Sequence, residues 1–207
     1  NKKNQLKATD YNFKLLLNMI MGIQLAVQST SNHKILPGED LTNYLSKMTY
    51  SIQTTNPGKK QETFFITEYA GIIFNNIRKL YNIEKEDYIA SISPQDFVTE
   101  LMISGNTIIE ELCSTGKSGS LFYYTRDGRY ILMTISKTEY HFLKKILANY
   151  FLHLRKYPDT LLPKFFGCYI LIRKVKKNRT RVPFVVMNNI LFQFVLYSLH
   201  DFTCYLA

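Results

Sequence analysis

The sequence predicts an α+β fold: helices first, then an antiparallel sheet of about five strands, with one helix between the third and fourth strands. Three observations predict it. Apolar residues recur at helical spacing through Tyr11–Gln28. After Thr107 the pattern changes to short alternating runs. Between two of those runs lies Asp127-Gly128, among the strongest short-range hairpin signals.

Residues 1–9 read as a polar tail and 10–106 as a helical amino-terminal part. Asp10 is placed to cap a helix over Tyr11–Gln28. Leu16, Ile20, Ile23 and Val27 form one stripe of that helix, and Leu17, Met21 and Leu25 a second, so it should be buried on two sides. Ser29–Gly58, broken by Pro37-Gly38 and Pro57-Gly58, reads as loop with a short helix near Leu41–Met48. A second helix is expected over Thr67–Tyr81, and a short one around Gln95–Met102 after Ser93-Pro94.

Residues 107–190 read as a β-rich lobe. Ile108–Cys113, Leu121–Thr125 and Tyr130–Ser136 are expected strands, the last two joined by the turn Arg126–Arg129. Lys137–Arg155 is expected to be helical, with Phe142, Ile146, Tyr150 and Leu154 along one face. Phe165–Ile172 and Pro183–Met187 complete the sheet, and 191–207 is an apolar tail.

The 207 residues are 46% hydrophobic, which suits a packed core and excludes a disordered chain. Cys113, Cys168 and Cys204 are far apart with no CxxC spacing, so neither a zinc site nor a disulfide framework is expected, and a reducing cytoplasm is. Tyr11–Val27 is too polar for a membrane span, and Ile190–Ala207 is interrupted by Gln193, His200 and Asp201. A peripheral protein is the expectation. A formal charge of +10 favours polyanionic partners.

Gly116-Lys117-Ser118-Gly119-Ser120 lies between two expected strands. Small residues there let backbone N–H groups approach a phosphate. A Walker motif is excluded, because position 111 is Glu and a strand, not a helix, follows. Strand, glycine turn, strand, strand and helix is the layout of a kinase small lobe.

Gly116–Tyr123 resembles the nucleotide turn of phosphatidylinositol phosphate kinases, of the phosphatidylinositol-4-phosphate 5-kinase type. Thr160–Gly167 is similar to that family's approach to its fourth strand, and Val185–Asn189 to its hinge. Asp10–Val27 and Tyr69–Tyr88 are similar to its amino-terminal helices. The resemblance covers roughly residues 10–190, the amino-terminal half of the catalytic domain.

It implies ATP with Mg2+ as cofactor, Gly116, Lys117, Ser118, Gly119 and Ser120 around the phosphates, and Met187, Asn188, Asn189 and Ile190 at the adenine edge. The family's phosphate-gripping lysine corresponds to Met133, whose thioether carries no charge and donates no hydrogen bond. A charge-assisted contact contributes about 1.5–3 kcal/mol, so its loss costs about 10- to 150-fold. Glu139 is the candidate acid on the following helix, while His141 stands where the family often has another. The resemblance fades after Ile190, and the family's catalytic and metal-binding aspartates are not expected in the remaining stretch; no metal site is expected. His200-Asp201-Phe202 is no substitute for a catalytic loop, which needs Asn where Leu206 stands.

Arg173, Lys174, Lys176, Lys177, Arg179 and Arg181 crowd into one connector and suit an anionic leaflet. No aromatic residue interrupts them, which disfavours nucleic-acid stacking. The expected function is phosphorylation of a phosphoinositide head group, phosphatidylinositol 4-phosphate to the 4,5-bisphosphate, at the plasma membrane. Little or no activity is expected of this chain by itself. The alternative is a non-catalytic module whose amino-terminal helices form a homodimer and whose basic face holds membrane.

Overall fold

The computed structural model describes residues 2–54, 62–95, 98–99, 120–175 and 178–190. Its elements run α1 (Lys2–Ser29), a 3-10 turn (Leu41–Tyr44), β1 (Lys47–Thr54), β2 (Glu62–Tyr69), α2 (Gly71–Leu80) and α3 (Lys85–Ser91). There follow β3 (Phe122–Tyr124), β4 (Tyr130–Thr134), α4 (Lys137–Lys156), β5 (Phe165–Val175) and β6 (Asn178–Asn188). The strands form one antiparallel sheet in the order β1-β2-β5-β6-β4-β3. The expected α+β, kinase-like small lobe is present, with six strands among the described residues, four at expected positions and two more.

The extra pair comes from a stretch expected to be loop and helix. Lys47–Thr54 is a strand, and Thr67–Tyr69 ends β2 rather than starting a helix. Its Thr, Phe and Ile residues favour a strand, and it pairs with β1 on one side and β5 on the other. Ala70, at φ 52°, then turns the chain into α2. Residues 10–106 are therefore not a helical unit apart from the β-rich lobe, since β2 pairs directly with β5. Expected features at Ile108–Cys113, Pro57-Gly58, most of Gln95–Met102 and 191–207 lie outside the described residues.

Cross-strand partners share a face, so register assigns each side chain to one layer. One face carries Phe64, Ile66, Leu171, Phe184, Val186 and Leu132, all buried. Helix α1 covers it with Leu16, Met19, Ile20, Ile23 and Val27, while Leu17, Met21 and Leu25 pack at its margins as the two stripes require. Gly22 permits the close approach, because a Cβ there would sit 2.9 Å from Ile66 Cγ1. Asp10 lies inside α1 rather than capping it. Lys2–Ala8 has no Gly or Pro to stop the helix from extending toward the amino terminus.

Helix α4 covers the opposite face. Its buried line is Tyr140, Leu143, Leu147, Phe151 and Leu154; of the every-fourth-residue set that begins at Phe142, Leu154 is buried and Ile146 and Tyr150 are partly so. Phe142 is 61% exposed. Strict spacing by four drifts around a helix of 3.6 residues per turn, whereas alternating threes and fours holds one face.

Candidate functional site

Met133 sits in a cross-sheet row with Phe122, Val185 and Cys168, on the face that α4 covers. It is partly buried and packs on the core. Tyr140 of α4 reaches the same layer, meeting Tyr69 edge-on at 6.4 Å between ring centroids. Burial pushes the Cys168 thiol up to about 12, so it is an inert core group.

Lys144 is a cation of α4 on this side, 5.0 Å above the Tyr69 ring. Tyr69 ends β2, and β5 and β6 stand between β2 and β4. Three strand spacings put it about 14 Å from Met133. Lys144 is engaged with the Tyr69 and Tyr140 rings, at 5.0 and 5.9 Å.

Glu139 is committed elsewhere. Its carboxylate accepts from the Ser136 backbone N–H at 2.7 Å, and Ser136 Oγ accepts from Glu139 N at 3.1 Å. This reciprocal capping box holds the start of α4. The Ser136 hydrogen bonds keep the Glu139 carboxyl below its ordinary range. An exposed acid closing its own helix is a cap rather than a partner waiting for a buried cation. His141 is exposed in the same turn and touches the Tyr140 ring edge-on.

The end of β6 is pinned by its own side chains. Asn188 accepts from Lys164 N at 2.8 Å through Oδ1 and donates its backbone N–H to Lys164 O at 3.0 Å. Asn189 donates its N–H to Arg129 O at 2.9 Å and its side-chain amide to Gly128 O at 2.8 Å. Both asparagines are buried. The segment is thus tied to β5 and to the turn between β3 and β4. Sequence reasoning assigned these asparagines to the nucleotide and missed that they set the geometry of the strand end.

That turn is itself well built. Gly128 has φ 71°, the left-handed region where a Cβ is costly. Asp127 accepts from Ser91 Oγ, Thr125 Oγ1 and Arg129 Nε, each at 2.6 Å. Burial pushes the Asp127 carboxyl up, but these three donors outweigh it and hold it below its ordinary value.

Gly116, Lys117, Ser118 and Gly119 lie outside the described residues. Ser120 is described, beside Leu121, whose N–H donates to Thr134 Oγ1 at 2.8 Å. Ser120 and Met133 therefore stand near one end of β4. Asn188, paired with Tyr130, stands at the other. The three-residue step from Tyr130 to Met133 spans about 10 Å.

Lys176 and Lys177 lie outside the described residues. Lys174 and Arg179 are register partners, Arg179 and Arg181 are exposed, and Arg173 lines a crevice with Lys14 of α1. The β5–β6 hairpin thus carries charge on both faces. Among the described residues, no three His, Cys, Asp or Glu side chains are grouped to hold a metal ion, and no helix is long and apolar enough to cross a membrane.

A family model for phosphatidylinositol-4-phosphate 5-kinase matches residues 103–200. A phosphatidylinositol 4-phosphate 5-kinase of Plasmodium falciparum is 33% identical over 178 residues, which is 84% of this chain and 10% of that protein. One from Schizosaccharomyces pombe is 32% identical over 184 residues, 86% of this chain and 22% of that one. The human type-1 alpha enzyme is 36% identical over 135 residues, 65% of this chain and 21% of the enzyme. The chain belongs to the phosphatidylinositol-4-phosphate 5-kinase family.

In this member of the 5-kinase family, the part described is joined by a buried polar knot that sequence reasoning did not find. Arg78 of α2 is 1% exposed and donates to Phe166 O of β5 at 2.6 Å. Its guanidinium lies 4.8 Å from the Tyr88 ring of α3. Glu68 of β2, 2% exposed, accepts from Thr30 Oγ1 at 2.7 Å. Arg78 stood on the expected helix as one polar residue among several. Only long-range packing shows that it points inward.

Proposed function

We propose that this chain is the nucleotide-holding part of an ATP-dependent phosphatidylinositol phosphate kinase, acting on phosphatidylinositol 4-phosphate to give the 4,5-bisphosphate. The observation that carries this is the placement of the two ends of β4. The strand end at Asn188–Ile190 would face adenine, and the far end, with Ser120 and Met133, would face the phosphates. The amides of Asn188 and Asn189 are already donated within the protein. Adenine contacts would then use carbonyl oxygens of this segment or groups from Ile190 onward. Gly116–Ser120 would approach the phosphates, with Lys117 supplying charge. Mg2+ would need ligands other than the described residues, which offer no cluster for it.

Met133 supports a second reading, a non-catalytic membrane-binding or dimerisation module, because it leaves the proposed phosphate position without that cation. In that reading the amino-terminal helices dimerise. Both readings share ATP-site geometry. Hydrogen exchange on the full chain with and without a non-hydrolysable ATP analogue tests it. Slower exchange is expected both at Leu121–Met133 and at Met187–Ile190. Unchanged exchange in both segments would remove the nucleotide reading.

The basic hairpin would dock on the anionic cytoplasmic face of the plasma membrane. Arg179 and Arg181 are exposed and together would contribute about 2 kcal/mol at low salt. Arg179→Gln with Arg181→Gln should weaken binding to phosphatidylserine-containing liposomes about 30-fold. The difference should shrink as salt rises. Equal liposome binding by the double variant and the parent would discard the docking surface.

A further inference from the structure

A second basic site lies away from β4. A hollow of about 350 Å3 opens between the 34–35 segment, α2 and the carboxy-terminal half of α4. Lys34, Lys79 and Arg155 line it, with Ile35, Leu80 and Phe151 as its apolar wall. That volume is in the range of small-ligand sites. No carboxylate lines it.

Its parts are held in place. Asn76 accepts from Ile35 N at 3.0 Å and donates to His33 O at 2.8 Å, fixing the 33–35 segment against α2. Lys79 Nζ donates to Asn32 O at 3.3 Å. The Arg155 guanidinium lies 5.5 Å from the Phe151 ring centroid. Arg155 Nη1 is shielded from water and has no hydrogen-bond partner among the described residues. A buried donor left without an acceptor is costly, and a charged one more so. Three cations and no acid around one hollow call for an anion with several acceptor oxygens.

We propose that this hollow binds a phosphate group, with Arg155 and Lys34 as its principal ligands and Phe151, Ile35 and Leu80 receiving the apolar part of the molecule. None of its lining residues lies on β3, β4 or β6, the strands that carry the positions proposed for ATP. The phosphate is carried either by a small soluble monoester or by a lipid head group.

Calorimetry on the full chain separates these sources. One arm titrates glycerol 3-phosphate, and the other titrates phosphatidylcholine vesicles containing phosphatidylglycerol. Binding in the first arm that falls at least tenfold in Arg155→Gln and in Lys34→Gln, but not in Lys47→Gln on the distant edge strand, supports a soluble ligand. The same pattern in the vesicle arm alone supports a head group. Lys34 is exposed and its side chain donates no hydrogen bond among the described residues, so its variant keeps the test valid if Arg155→Gln is unstable. Binding in neither arm, or binding that ignores both substitutions, overturns the proposal.

Discussion

Replacing Arg78 with alanine is expected to destabilise the protein by about 3–5 kcal/mol, because it leaves buried polar partners without their donor and opens a cavity in the core. The guanidinium holds the Phe166 carbonyl at 2.6 Å and the Asn75 side chain at 3.4 Å, and it lies against Tyr88. It also gives Glu68 favourable electrostatic company. Without it, a carboxyl with 2% exposure is left without that cation. Urea unfolding followed by circular dichroism measures the loss, and a change under about 1 kcal/mol would contradict the assignment. Arg78→Met with Glu68→Gln should recover part of the stability, since removing both buried charges together leaves neither one uncompensated.

The same network carries a pH dependence. Burial raises the Glu68 carboxyl above its ordinary value of 4.5, although Thr30 and Arg78 pull it down. Between 4.5 and the raised value, the folded protein holds a proton that the unfolded chain has released. Stability is therefore greatest below that window and falls as pH rises through it. Glu68→Gln should flatten this segment of the stability–pH profile. An unchanged slope would mean that Glu68 titrates as an ordinary carboxyl.

Met133→Lys is expected to strengthen ATP binding by about 10- to 150-fold, the range for restoring one charge-assisted hydrogen bond. Met133 already faces the α4 layer and is partly buried, so the long side chain has a path along the row of Val185 and Cys168. The gain should be smaller without an acid on α4. Glu139 is held by Ser136, so His141→Glu is the natural companion change. The pair should exceed the sum of the single effects, as interacting neighbours do. Calorimetric titration with ATP on the full chain reads both. Equal affinity for all four proteins would show that position 133 does not meet the phosphates. Adenosine should gain nothing from either change, which separates phosphate contact from general stabilisation.

By itself the sequence determined what depends on neighbours along the chain. The Asp127-Gly128 hairpin, the α1 stripes and the sheet from Leu121 onward rest on spacing and on local turn chemistry. That position 133 carries no charge was also legible, since a methionine there is a matter of residue identity alone. What lay beyond it were features set by distant partners. Lys47–Tyr69 became two strands because β5 offers β2 a pairing edge, and an isolated hairpin would not hold them. Glu139 became a cap, and Asn188 and Asn189 became pins, because polar groups take the nearest satisfying partner once the chain has folded. Arg78 turned inward onto Phe166, and Arg155 came to border a hollow with Lys34, through partners more than 80 residues away in the chain. Tertiary structure decided these roles, because the cost of burying a charge depends on which groups share its surroundings.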